Sequence, residues 1–217
     1  MSCHFQVRDL ALSYRWKTFV KPIFKNLNLC VERGWFVTIT GCNGSGKSSL
    51  IKLILGLVQP DTGELLLEGI PVRAGFPGAV RNHQIAYMAQ QIEEMFFANT
   101  VREELSYGAD GVLEKQGQVL AELGMNHFMD RTIESLSGGE RQGLALAQFM
   151  IQEAPFLLLD EPSSYLDQSR ADRLKDFMMQ AHRSGKTILH VTQYTQEISW
   201  GTHHIDLDQT DPKVRSI

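Results

Sequence analysis

The sequence predicts an α/β fold: a mostly parallel core sheet, an antiparallel β subdomain at the N-terminal end, and an inserted helical subdomain. Three observations predict it. Short β-rich runs alternate with helical periodicity in the first and last parts of the chain. The run Phe156-Leu157-Leu158-Leu159 is apolar at every position, as a strand covered by helices on both faces must be. From residue 93 to residue 136 strand signals vanish and helix formers take over, punctuated by Gly108, Gly111, Gly117 and Gly124. A single domain of 217 residues is expected, with its α/β core at 1–90 and 151–217 and its helical subdomain at 91–150.

The elements follow in chain order. Residues 5–12 and 24–31 are apolar and alternating, with a polar stretch between them, and read as two antiparallel strands. Residues 36–40 (FVTIT) form a β-rich run that ends at Gly41. Residues 47–57 read as a helix in which Leu50, Ile51, Ile54 and Leu57 share a face, closed by Gly56 and Pro60. Further strands are expected at 64–69 and 85–89. In the helical part, residues 112–123 carry Val112, Leu113, Val119, Leu120 and Leu123 on one apolar stripe. Helices at 139–152 and 170–184 and a strand at 187–191 complete the alternation. The tail from Asp206 is polar and reads as peripheral.

Composition excludes several classes. With 43% apolar residues the chain is not disordered. Its net charge of −4, from 25 acidic and 21 basic residues, and the scatter of those basic residues give no reason to expect nucleic acid as a partner. Residues 1–5 lack the basic-then-apolar pattern of a signal peptide. No apolar run approaches the roughly 20 residues needed to cross a bilayer. The cysteines are Cys3, Cys30 and Cys42; their odd number, with no metal-binding spacing, reads as reduced thiols in a cytosol. Cys42, inside a glycine-rich loop, is a candidate for oxidation.

That loop carries the chemistry. Gly41, Cys42, Asn43, Gly44, Ser45, Gly46, Lys47 and Ser48 fit the G-x-x-x-x-G-K-[ST] pattern, with a strand before and a helix after. Glycines let successive N–H groups turn inward on an anion. The helix adds its N-terminal N–H groups, with Ser49 following in the same turn. Lys47 is placed for the β- and γ-phosphates of ATP and the Ser48 hydroxyl for Mg²⁺. At the C-terminal end of the apolar strand stand Asp160, a candidate Mg²⁺ ligand through water, and Glu161, a candidate to polarise an attacking water.

Further motifs resemble one family. Leu136-Ser137-Gly138-Gly139-Glu140 resembles the signature of the ABC ATPases, in the variant with Glu at the last place. Ser164, Tyr165, Leu166 and Asp167 resemble its D-loop. Gln90 resembles its Q-loop glutamine, which adds a candidate catalytic and Mg²⁺-binding side chain. The resemblance spans roughly residues 5–207. It implies a P-loop NTPase fold of the ABC ATPase type and ATP hydrolysis. It also implies a head-to-tail dimer with a second ABC ATPase subunit, identical or different, whose ATP faces this chain's signature. An aromatic near the N-terminus would stack on adenine; Trp16 and Tyr14 are the candidates, and the register of Ser13-Tyr14-Arg15-Trp16 favours Trp16.

Residues 90–105 resemble the ATPases of energy-coupling-factor and cobalt or biotin importers. There a transmembrane transporter subunit docks in a groove for which Met95, Phe96 and Phe97 would supply the wall; alternatively these three pack the join between the lobes. Two departures stand out. Gln193 occupies the place of the switch histidine, which predicts slow hydrolysis at this chain's own site, and His190 lies at a different depth in the strand. Gly143 stands where relatives often carry Arg. The function implied is the ATP-binding and hydrolysing subunit of a membrane ABC transporter, importing a small nutrient such as a vitamin or metal ion. It would lie on the cytoplasmic face of the cell membrane. The alternatives are a soluble ABC ATPase of assembly or repair, or an ATP-binding regulatory subunit with little hydrolysis.

Overall fold

The computed structural model describes residues 3–73, 84–90, 96–107 and 113–217. Two sheets carry the fold. The first is antiparallel, in the order β2-β1-β4-β5, with β1 Cys3–Trp16, β2 Phe19–Glu32, β4 Thr62–Leu67 and β5 Ile70–Pro71. The second runs β10-β9-β3-β8-β7-β6, with β3 Phe36–Thr40, β6 Ile85–Met88, β7 Phe156–Asp160, β8 Thr187–Val191, β9 His203–Asp206 and β10 Arg215–Ser216. All of its pairings are parallel except that of β10 with β9.

The period-2 alternation of a strand divides the core between two layers. Phe156 and Leu158 of β7 point to a layer shared with Leu50, Ile51, Leu53 and Ile54 of helix α1 (Lys47–Ile54) and with the antiparallel sheet. Leu157 and Leu159 point to the opposite layer. There they meet helices α2 (Val101–Ser106), α3 (Leu113–Glu122), α4 (Gly138–Ile151) and α5 (Gln168–Arg183). Every residue of β7 and of β8 is buried as a result. A buried polar tie also crosses the layers. His4 Nδ1 lies 2.6 Å from Thr187 Oγ1, which accepts a 2.9 Å bond from the Gly34 N–H.

Several expectations are corrected. The polar stretch between the first two strands is itself strand: β1 and β2 continue to a two-residue turn at Lys17 and Thr18. This ribbon exposes Tyr14, Trp16, Phe19 and Val20, so no buried face imposes alternation on it. Helix α1 ends at Ile54, and Leu57 is 60% exposed. Gly56, at φ +68, closes the helix with its N–H on Leu53 O and the Leu57 N–H on Lys52 O, which turns Leu57 outward.

The tail is not peripheral at its start. Asp206 ends a core strand, Leu207 is buried, and β10 extends the sheet edge. Cys3 and Cys30 form a disulfide rather than two reduced thiols, because the β1–β2 register brings their Cα atoms to 5.5 Å; Cys42 remains free. Gly108, Gly111 and Val112 lie outside the described residues, as does the Leu113 side chain. Val119, Leu120 and Leu123 of the expected stripe are buried.

Candidate active site

The loop from Gly41 to Ser48 connects β3 to α1 along the C-terminal edge of the parallel sheet. It is held by close packing. Gly46 caps α1 at φ +107, and a Cβ there would stand 2.6 Å from the Phe24 ring, so the loop backbone lies directly on β2. Lys47 is buried and bends back across the loop, donating to Gly41 O at 2.6 Å, and its Nζ lies 3.9 Å from Glu161 Oε1. An ammonium held by carbonyls and one carboxylate is a cation poised for a stronger anion.

Glu161 follows β7 in a left-handed conformation, φ +48, a rare state for a non-glycine residue that recurs at functional sites. The bend turns its carboxylate toward the loop, where Oε2 accepts a 3.1 Å bond from Gln90 Nε2. Asp160, one residue earlier, is buried. Burial and then the neighbouring Glu161 charge push its carboxyl up to about 6, against the pull of Lys47 and Lys52. Burial, with the Asp160 charge, likewise raises the nearby Tyr87 hydroxyl to about 12.

A cleft of about 490 Å³ opens over the loop. Its lining brings together Tyr14, Asn43, Gly44, Gly46, Lys47, Ser48, Ser49, Gln90, Glu161 and Gln193 from the sequence-derived set. Tyr14, not Trp16, stands on this wall, and Trp16 is 77% exposed on the ribbon. Lys21 and Ile23 of β2 complete the wall. Sequence reasoning missed both, since nothing in a polar ribbon marks them. It also missed Asp208, whose carboxylate accepts the Cys42 N–H at 2.8 and 3.0 Å and braces the loop from 166 residues away. The Asp208 hydrogen bond and charge also push the exposed Cys42 thiol above its ordinary range.

Gln193 is exposed and lines the same cleft as Glu161, whereas His190 is fully buried, 3.3 Å from Glu197 and stacked on Trp200. Ser137, Gly138, Gly139 and Glu140 are not among the lining residues. They form the start of α4, where Ser137 accepts the Glu140 N–H and Glu140 accepts the Ser137 N–H at 2.6 Å. That closed capping box gives the Glu of the variant signature a local role, and it lowers the Glu140 carboxyl. Leu136 anchors the turn in the core. Ser164 and Tyr165 lie in a 3₁₀ turn after Glu161, Leu166 packs against the helical layer, and Asp167 caps α5. Phe96 is half-buried against the helical layer and Phe97 is 82% exposed, while Met95 lies outside the described residues.

The sequence pattern of the family described as ABC transporter matches residues 24–164, more than half the chain. This chain belongs to the ABC transporter family. It is an ATP-binding and ATP-hydrolysing subunit of such a transporter. The ABC subunit is similar to the energy-coupling factor transporter ATP-binding protein EcfA1 of Halalkalibacterium halodurans. The two are 32% identical over 198 residues, which cover 87% of this chain and 70% of that protein. Its fold matches that of the ATP-binding cassette MJ0796, solved as a dimer in a post-hydrolysis state with ADP and Pi. The TM-score is 0.81 at 23% identity, covering 97% of this chain and 96% of that one. The fold of cbiO1 from Clostridium perfringens, part of the ABC transporter complex cbiONQ, matches with TM-score 0.75 at 23% identity, covering 99% and 88%. The ABC subunit has, among its described residues, no helix long and apolar enough to cross a membrane.

Proposed function

We propose that this ABC subunit hydrolyses Mg²⁺-ATP at the interface with a second ABC ATPase subunit, and so drives a transmembrane partner that imports a small nutrient, a vitamin or a metal ion. The carrying observation is the convergence of Lys47, Gln90, Glu161 and Gln193 on one cleft at the end of the parallel sheet. Tyr14 offers its ring to adenine, with Lys21 beside it. The loop N–H groups and Lys47 hold the phosphates. Glu161 polarises a water aimed at the γ-phosphate, and Gln193 donates a hydrogen bond there.

The oxygen donors suit Mg²⁺, which takes one or two carboxylates and otherwise keeps water and phosphate oxygens. Ser48, Gln90 and Asp160 would hold it, and when bound it neutralises charge on the β- and γ-phosphates.

In this reading residues 91–150 act as the lobe that carries the signature, over a core of 1–90 and 151–217. Leu136, Ser137, Gly138, Gly139 and Glu140 face the partner's ATP, and the D-loop of Ser164, Tyr165, Leu166 and Asp167 lines the same joint. The Ser164 hydroxyl is buried without a partner among the described residues, which leaves a donor for a contact across that joint. Phe97, exposed beside the core-packed Phe96, offers an apolar wall to the transmembrane partner on the cytoplasmic face. Similarity to energy-coupling factor transporter ATP-binding proteins supports the importer assignment.

Three measurements test the proposal. Lys47→Ala weakens Mg²⁺-ATP binding in a calorimetric titration by about tenfold or more, the loss of a charged hydrogen bond of about 1.5–3 kcal/mol. Glu161→Gln binds ATP normally but turns over roughly 10²–10⁴-fold more slowly. Purification from the native membrane recovers a hydrophobic subunit with the chain. Full turnover by Glu161→Gln would overturn the catalytic assignment, and recovery free of any membrane protein would overturn the transporter assignment.

A further inference from the structure

The start of α4 presents Gly139 and Gly143 one turn apart on the same face. Across that face lies the side chain of Arg170, from the first turn of α5. A Cβ at Gly139 would stand 3.6 Å from Arg170 Nη1. A Cβ at Gly143 would stand 3.3 Å from Arg170 Nε and 2.6 Å from Met125 Sδ. The glycines therefore form a trough that the guanidinium occupies. The same Nη1 is bonded to Asp167, whose Oδ2 accepts from it at 2.9 Å while its Oδ1 accepts the Arg170 backbone N–H at 2.9 Å. Arg170 is thus held between the last residue of the D-loop and the signature helix.

Its placement is poor for helix stability. Arg170 sits in the first turn of α5, which holds no acidic residue, and beside the first turn of α4. Both are positive poles of helix dipoles, where a cation is disfavoured. The N-cap carboxylate of Asp167, three residues earlier, offsets that cost and holds the cation in place. The sequence departure at position 143 now has a physical counterpart, since a side chain there would need the space that Arg170 fills.

We propose that Arg170 is a positioning residue that couples the D-loop to the signature helix. In this chain the D-loop helix supplies the cation that position 143 of the signature helix lacks. Because the guanidinium bonds Asp167 through Nη1 while Nη1 and Nε lie in the glycine trough, the two partner-facing motifs move as one body. This rests on the pairing proposed above for its catalytic consequence, but the coupling itself is a property of the single chain.

The test is amide hydrogen exchange on the full chain without nucleotide, read on peptides covering residues 137–144 and 162–168. Arg170→Ala speeds exchange in both segments by about tenfold while the strands keep wild-type rates. Arg170→Lys, with charge but no planar guanidinium to fill the trough, restores less than half of the protection. Gly143→Ala, which pushes on Arg170 and Met125, speeds the same two segments. In ATP turnover Arg170→Ala lowers kcat and leaves KM, because Arg170 lies outside the chain's own cleft. Unchanged exchange at 137–144 in Arg170→Ala overturns the proposal, as does a uniform rise over the whole chain. A wild-type chain that hydrolyses no ATP in its assembled complex overturns the proposed function instead, and the exchange data still judge Arg170.

Discussion

Glu104 offers the sharpest test of how the segment before α2 is held. Its side chain is fully buried and, among the described residues, bonded only to neutral donors. Oε2 accepts the N–H groups of Phe97 and Ala98, both at 2.8 Å, and Oε1 accepts from Gln148 Nε2 at 2.9 Å. Glu104→Ala strands three part-buried donors, each costing up to about 1–3 kcal/mol. Relief of the buried carboxylate offsets part of this, by a few kcal/mol, so the net loss is about 3 kcal/mol. For a chain of 217 residues that lowers Tm by roughly 6–12 °C.

Glu104→Gln behaves differently. Its carbonyl keeps both backbone N–H groups, and its amide meets Gln148, whose own oxygen is buried without a partner. A flip of Gln148 restores the third bond, so the loss stays at or below about 1 kcal/mol. Urea and thermal melts of the three proteins read these values directly. A Glu104→Ala chain within about 1 kcal/mol of wild type would refute the reasoning. So would a Glu104→Gln chain as unstable as the alanine variant, since the negative charge rather than the bonding pattern would then be what matters.

Two other outcomes are expected. Gln193→His exchanges a neutral hydrogen bond for a charge-assisted one, worth about 1–1.5 kcal/mol and so roughly five- to tenfold in turnover; the gain is greatest below about pH 6.5 and fades above it. Steady-state ATPase rates of the assembled complex between pH 6 and 8 decide this, and unchanged turnover at every pH rules it out. His4 is pushed below its ordinary pKa of 6.5 by burial and then by the Arg33 guanidinium, with Glu68 opposing. The unfolded chain therefore takes up the proton first as pH falls. The stability His4 contributes is complete above pH 6.5 and is lost as pH drops from there toward its folded value. Melts at successive pH values should show a steeper acid loss for wild type than for His4→Gln, and parallel curves would remove His4 as the cause.

Much of the site was legible because its chemistry is local. A phosphate-binding loop needs its glycines and lysine at fixed spacing between a strand and a helix, and residues 41–48 show that spacing directly. The apolar run before Asp160 announced a strand buried on both faces, and β7 is one. The β1–β2 ribbon was harder to read, since exposed strands carry no alternation. The register of Ser13-Tyr14-Arg15-Trp16 favours Trp16, but sequence spacing does not say which ring lines the cleft, and it is Tyr14 that does.

The sequence by itself determined the α/β alternation, the loop, the acidic strand end and the signature, because each is written in neighbouring residues whose spacing is set by backbone geometry. Tertiary structure alone decided that Asp208 braces Cys42 across 166 residues, that Cys3 meets Cys30, and that Arg170 fills the trough at Gly143. These depend on strand register and on which helix faces pack together. Such contacts are set by the shape of the whole folded chain, and no local period or propensity records them.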